Sequence, residues 1–159
     1  MGRVIVALVI GVGLALPGQT TGQQSAEEAV IAVVEAVFEG MASGDTEALR
    51  ALMLPESQVL AMGERGPRWS AGTSFAEGFE GREVAVIERM WDPVVLIDGP
   101  IASLWAPYDL YIGDSWSHCG TDSFQLVLTE GGWKVAFIGY TVAQPPACER
   151  HPGGPPGAR

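Results

Sequence analysis

The chain contains no asparagine and a single lysine, Lys134. Without asparagine it has no acceptor for an N-linked glycan. Nine Lys and Arg stand against nineteen Asp and Glu, a formal charge of −10. Nucleic-acid binding depends on clustered basic side chains that neutralise phosphates, so an acidic chain this poor in lysine is not expected to bind it. An anionic membrane surface is disfavoured for the same reason. Cysteine and histidine are scarce too: Cys119, Cys148, His118 and His151 are all there are. One histidine near two acids, with no H-x-H or H-x-x-x-H spacing, argues against a metal site. Gly11-Val-Gly13 lacks the third glycine of a dinucleotide loop, and no cofactor motif replaces it.

Long apolar runs are also few. Arg3 precedes one, Val4 to Leu16, followed by small and polar residues to Gln24. The run is shorter than the about 20 residues needed to span a bilayer. A basic residue, an apolar segment and a small-residue zone together read as a secretory signal peptide covering 1–22, cleaved near residues 20–24. An uncleaved anchor is the second reading. No cysteine follows Leu16 closely enough to carry a lipid. Export to the periplasm or beyond would place Cys119 and Cys148 in an oxidising compartment, where one disulfide would form. Two unpaired thiols, one in a strand and one in a tail, is the alternative, and spacing alone does not choose between them.

The remaining length suits one domain, 23–143, with a Pro/Gly-rich tail over 144–159 that has no periodicity and is expected to be mobile, His151 included. Ser25-Ala-Glu-Glu28 has the form of a capping box. Val30, Val33, Val34, Val37, Phe38 and Met41 then recur at helical spacing, and Ser43-Gly44 ends the pattern. Asp45 caps a shorter helix that carries Leu49 and stops before Pro55. Beyond it the period changes to that of strands. A hairpin is predicted around Glu64-Arg-Gly66, and a brief helical turn over 73–80. A long strand over 83–97 is interrupted at Asp92-Pro93, where proline cannot donate to a ladder. Helices first and antiparallel strands afterwards indicate an α+β domain.

Trp105 to Val142 carries most of the polar chemistry. Gly113-Asp114 as a two-residue turn sets Ile112 opposite Ser115, and counting back pairs Tyr111 with Trp116, Asp109 with His118 and Trp105 with Asp122. A second turn at Gly131 pairs Leu128 with Trp133 and Phe124 with Phe137. Side chains alternate between faces, so this register places Trp105, Asp109, Tyr111, Trp116, His118, Asp122, Phe124 and Phe137 on one face. That face would form a half-closed pocket: Trp105, Tyr111, Trp116, Phe124 and Phe137 as ligand-binding walls, Asp109, His118 and Asp122 as candidate catalytic groups. A carboxylate beside an imidazole raises its pKa and orients the ring for proton transfer. The plainer reading is a cross-strand polar pair that serves the sheet. Gly113-Asp-Ser115 has the look of a serine-esterase block, but it sits in a hairpin turn with no nucleophile elbow behind it.

The Trp105-Ala-Pro-Tyr108 strand, Ser117-His-Cys-Gly120 and Gly132-Trp-Lys134, in that order and behind an N-terminal helix, resemble the nuclear transport factor 2-like superfamily, in particular its bacterial SnoaL-like or putative lumazine-binding branch. The resemblance spans about Ala26 to Val142. It implies a cone-shaped half-barrel, with N-terminal helices packed on the concave face of a strongly bent, mostly antiparallel sheet. It also implies a small-molecule pocket in the cone and, often, a homodimer through the outer sheet face. Members range from isomerases, dehydratases, cyclases and epoxide hydrolases to proteins with no known activity. The fold therefore leaves three expectations open: a binder of a small apolar molecule, an acid–base enzyme, or a non-catalytic dimerising module.

Overall fold

The computed structural model describes residues 18–157. The predicted signal segment lies almost wholly outside the described residues. Three helices, α1 (Gly18–Ser43), α2 (Thr46–Leu52) and α3 (Gly72–Glu77), accompany seven strands. These are β1 (Met53–Gly63), β2 (Gly66–Ala71), β3 (Val86–Met90), β4 (Val94–Asp98), β5 (Ile101–Ile112), β6 (Ser115–Thr129) and β7 (Gly132–Thr141). The sheet order is β2-β1-β7-β6-β5-β3, with β4 also on β5. Every pairing is antiparallel except β1 with β7. The sheet is strongly bent around the helices, the α+β cone expected. No helix among the described residues is long and apolar enough to cross a membrane.

Helix α1 buries Val30, Val34, Val37, Phe38 and Met41, the stripe its spacing predicted. Its start differs from expectation. The helix already runs at Gly18, and the Ser25 hydroxyl donates to the Gly22 carbonyl at 2.9 Å instead of capping a terminus. A serine inside a helix satisfies itself on the preceding turn. At the other end Gly44 turns left-handed (φ 70°), and the Asp45 N–H donates to the Gly40 carbonyl at 3.1 Å. Glycine takes that conformation without a Cβ penalty. Asp45 then caps α2 by accepting from the Ala48 N–H at 2.9 Å. Gly40 also has a packing reason: a Cβ there would lie 2.8 Å from the buried Leu49 side chain.

The interruption at Asp92-Pro93 divides the predicted long strand in two. Asp92 adopts φ 46°, and β3 and β4 pair with opposite ends of β5. The strand thus bends where proline removes a ladder donor. The inner face of β5 buries Ala102, Leu104, Ala106, Tyr108 and Leu110 against the helices, together with Phe124, Leu126, Val135 and Ile138 of the neighbouring strands.

Two bulges correct the register read from the turns. Ile112 faces Ser115 and Tyr111 faces Trp116 as predicted, but then β6 inserts one extra residue, Ser117. Leu110 faces His118, Asp109 faces Cys119, and Trp105 faces Ser123. Ala136 is a second extra residue on β7, so Phe124 faces Ile138 and Phe137 faces Gln125. One inserted residue reverses the face of everything beyond it.

Candidate functional site

The bulges sort the eight predicted site residues onto two faces. His118, Asp122 and Phe124 line a cavity of about 210 Å³ between the sheet and the helices. Asp109, Trp105, Tyr111, Trp116 and Phe137 do not line it. Trp105 is 57% exposed on the outer face, and Phe137 packs there against Trp69 at a ring distance of 6.0 Å. The grouping of Asp109 with His118 and Asp122 is therefore corrected: Asp109 sits one strand position out of phase with them.

Asp109 has a different assignment. It is fully buried and receives two charge-assisted hydrogen bonds from Arg89, at 3.0 and 2.7 Å, plus the His151 backbone N–H at 2.9 Å. Arg89 donates in turn to the Gly154 carbonyl at 2.7 Å and stands over the Tyr111 ring. Cys119 and Cys148 form a disulfide. Arg150 lies 4.1 Å from the centre of the Trp116 ring, and His151 meets Trp91 edge-on. The tail expected to be mobile is thus strapped to the sheet over Asp109, Tyr111 and Trp116, and His151 is partly buried within it.

Inside the cavity the second acid is Glu88. It alternates with Val86 and Met90 on the inner face of β3, directly across from Leu110. Its carboxyl is hydrogen-bonded to that of Asp122. Asp122 is 1% exposed, and its Oδ2 receives no hydrogen bond from a described donor. Two carboxyls can bond to each other only if one is protonated. Burial, then the neighbouring Glu88, holds Asp122 well above the usual carboxylate range. Burial also raises Glu88, less far, because accepting the Asp122 proton favours its charged form. Burial thus favours the protonated form of each acid. Glu88 keeps some accessible surface as a residue because it borders this cavity and a shallower groove beside it.

His118 completes the polar end. Its Nδ1 is bonded to the Ser117 hydroxyl at 3.0 Å, so the bulge that turns the ring inward also orients it. The edge of the ring system meets Tyr108 at 5.9 Å. Burial, and secondarily the charge of Arg68, lowers the His118 pKa. This reverses the predicted sign, because the acid that was to raise it, Asp109, faces away. Tyr108 donates to the Thr141 carbonyl at 2.8 Å, an approach that Gly120 permits, since a Cβ there would collide with Thr141. Tyr140 borders the same end, and burial raises its pKa and that of Tyr108. The remaining walls are apolar: Val37, Phe38, Met41, Phe75, Leu110 and Ile138, with Phe79, Arg82 and Ile112 alongside. Among the described residues no cluster of His, Cys, Asp and Glu is arranged to hold a metal ion.

Glu88, Tyr108 and Tyr140 were not among the predicted site residues. Glu88 had a readable signal: a lone acid in phase with the apolar Val86 and Met90.

No family sequence model matches the chain, and no curated protein sequence matches it significantly. Solved structures do. A protein of unknown function from Mycobacterium tuberculosis aligns with TM-score 0.68 at 13% identity, covering 82% of this chain and 79% of that one. A nuclear transport factor 2-like protein with a cystatin-like fold from Novosphingobium aromaticivorans aligns with TM-score 0.68 at 12% identity, covering 85% and 95%. A nuclear transport factor 2-like superfamily protein from Salmonella enterica aligns with TM-score 0.60 at 14% identity, covering 81% and 99%. The chain has the nuclear transport factor 2-like fold, the fold that the resemblance read from its sequence implied.

Proposed function

We propose that the protein binds a small, largely apolar molecule in the cone, with one polar group of that molecule directed at Glu88, Asp122 and His118. The observation that carries this reading is the hydrogen-bonded Glu88–Asp122 pair, gathered with His118 at the polar end of a cavity whose other walls are largely apolar. An apolar chamber with a few convergent polar groups and perturbed acids is the usual form of a ligand site. Its volume, about 210 Å³, lies below the range for drug-sized ligands and favours a small one.

The test is a thermal-shift screen of the purified protein against small apolar compounds with one polar group. A ligand at a hundred times its Kd stabilises by about 2.7 kcal/mol. A hit that Phe124→Ala or Glu88→Gln abolishes supports the reading. A cavity that accepts nothing across a broad library overturns it in favour of an interaction module.

A second reading, an acid–base enzyme, is favoured by one specific arrangement. A neutral imidazole and a protonated carboxyl line the same cavity, a base and an acid held ready near neutral pH. His118 and the Glu88–Asp122 pair would carry it, with Asp109 as a structural residue. Export belongs to the same proposal, supported by the apolar run behind Arg3 and by the Cys119–Cys148 disulfide. So does a homodimer through the outer sheet face, supported by Trp69, Val94, Leu96 and Trp105, each more than half exposed there.

A further inference from the structure

We infer that the molecule held in the cone is a lipophilic monoamine, its ammonium seated at the Glu88 and Asp122 carboxyls and its apolar body against Phe38, Phe124 and Ile138. The inference rests on the ligand-binding reading above and narrows its chemical class.

The first argument is the missing cation. Two buried carboxyls normally recruit a basic side chain. Here the basic groups near them are spent or displaced. Arg89, next to Glu88 in sequence, points to the other face and is held by Asp109 and the Gly154 carbonyl. Arg82 donates to the Gly78 carbonyl at 2.7 Å and covers Phe79. Arg68 is exposed on β2. Among the described residues no ion pair reaches Glu88 or Asp122.

The second argument is hydrogen-bonding capacity. The proton of their hydrogen bond is consumed between the two carboxyls. Asp122 is 1% exposed, borders the cavity and has an oxygen, Oδ2, that no described donor reaches. At the carboxyl pair itself acceptors therefore outnumber donors. An ammonium brings three donors and a positive charge. A neutral carbonyl could be bonded by Asp122 only by taking its proton from Glu88 and leaving that carboxylate buried without a partner. An anion would meet like charge.

The surroundings favour the same sign. Glu35 and Glu39 of α1 border the groove that adjoins Glu88, and Asp109 lies behind it on the outer face. Tyr108, Tyr140 and Phe124 line the same cavity, and aromatic rings attract a cation placed over their faces. Arg82 near Phe79 and Arg68 near His118 oppose it, at the exposed side of the site. His118 is biased toward its neutral form by burial and does not add a competing charge.

The proton balance follows directly. Burial favours the protonated forms of both acids in the free protein. When an ammonium binds, both carboxylates face a cation, and the protons on the pair leave to solvent. Binding should therefore release protons and strengthen with pH.

The test uses benzylamine as probe and benzyl alcohol as its neutral counterpart, with titration calorimetry in two buffers of different ionisation enthalpy. The expected result is that benzylamine binds, with proton release and an affinity gain of about tenfold from pH 6 to pH 8. Glu88→Gln should weaken benzylamine by about tenfold or more, and the alcohol by a smaller factor. The measurements on the unaltered protein stand even if the variant fails to fold. Benzyl alcohol binding as well as the amine, or amine binding indifferent to pH, overturns the inference and leaves the pocket reading intact. Binding of neither probe overturns the inference as well; the broader screen then decides separately whether the pocket reading falls with it.

Discussion

Glu88 on β3 and Asp122 on β6 share a hydrogen bond across the intervening strand β5. Among the described residues neither has a basic partner, so the bond exists only while a proton does. Leu110 and Ala106, their respective neighbours on β5, offset the two acids along the strand. Only side chains reaching over the inner face bring the carboxyls together.

That bond makes stability depend on pH in an uncommon direction. Both acids are raised on folding, by burial before anything else. The folded state therefore holds more protons than the unfolded one between the ordinary carboxylate range and the raised values. Stability falls as pH rises when the native state binds the excess. The contribution is fully present below about pH 4 and is lost as pH climbs through the raised values, toward about 7 for Glu88. Melting temperature should drop from pH 5 to pH 7.5, on the order of 5 °C for a chain this size. Asp122→Asn should flatten the profile, because the amide donates to Glu88 at every pH. A melting temperature that rises over this interval in the unaltered protein would refute the protonated pair.

His118 should titrate below its ordinary value. Burial is the main cause and the Arg68 charge the second. The C2 proton resonance followed by NMR would give a midpoint under the ordinary 6.5. Arg68→Ala should return part of the shift, and Asp109→Asn should return none of it. A midpoint above 6.5 would put an ionised carboxylate beside the ring, contrary to the geometry.

The turns were legible because backbone chemistry writes them locally. Gly44, Gly66 and Gly113 all take positive φ where a helix end or hairpin was read. The α1 stripe was legible because 3.6-residue periodicity over several turns admits one phase. Ser117 was not, because a bulge adds a residue without changing the composition around it. Ser115-Trp-Ser-His-Cys-Gly120 alternates ambiguously, and either phase buries something aromatic. That insertion kept His118 and Asp122 in the cavity and turned Asp109 and Trp105 out of it. Glu88 was legible in principle, since Val86 fixes its phase, but its partner lies two strands away in the sheet. The tail misled for a related reason: low periodicity marks the absence of helix and strand, whereas Asp109, Arg89 and Cys119 hold it by individual bonds.

Asp109→Ala should destabilise by about 3–5 kcal/mol, the cost of leaving one partner of a buried ion pair alone. Asp109 is fully buried while Arg89 keeps some solvent contact, so Arg89→Ala should be at least as costly, stranding the acid. Both should loosen the tail, which Asp109 holds through the His151 N–H and Arg89 through the Gly154 carbonyl. Chemical denaturation gives the first effect, and protease cleavage after Arg150 gives the second. Unchanged ligand binding in either variant that remains folded would separate this structural pair from the cavity. Loss of binding with the fold intact would return Asp109 to the site.

Removing the Cys119–Cys148 bridge should cost about 3–4 kcal/mol, from the chain entropy released by a loop of 29 residues. The Cys148→Ser variant is the cleaner probe, because Cys119 is fully buried in β6 and a serine there would need a new partner. Cys148→Ser should lower the denaturation midpoint without changing its slope. It should also raise hydrogen exchange at the His151 and Gly154 amides more than at Leu126 or Val135, which lie in the core of the sheet. Equal exchange everywhere would mean that the strap is held by Asp109 and Arg89 alone. The bridge would then act only by restricting the unfolded chain, not by holding the tail.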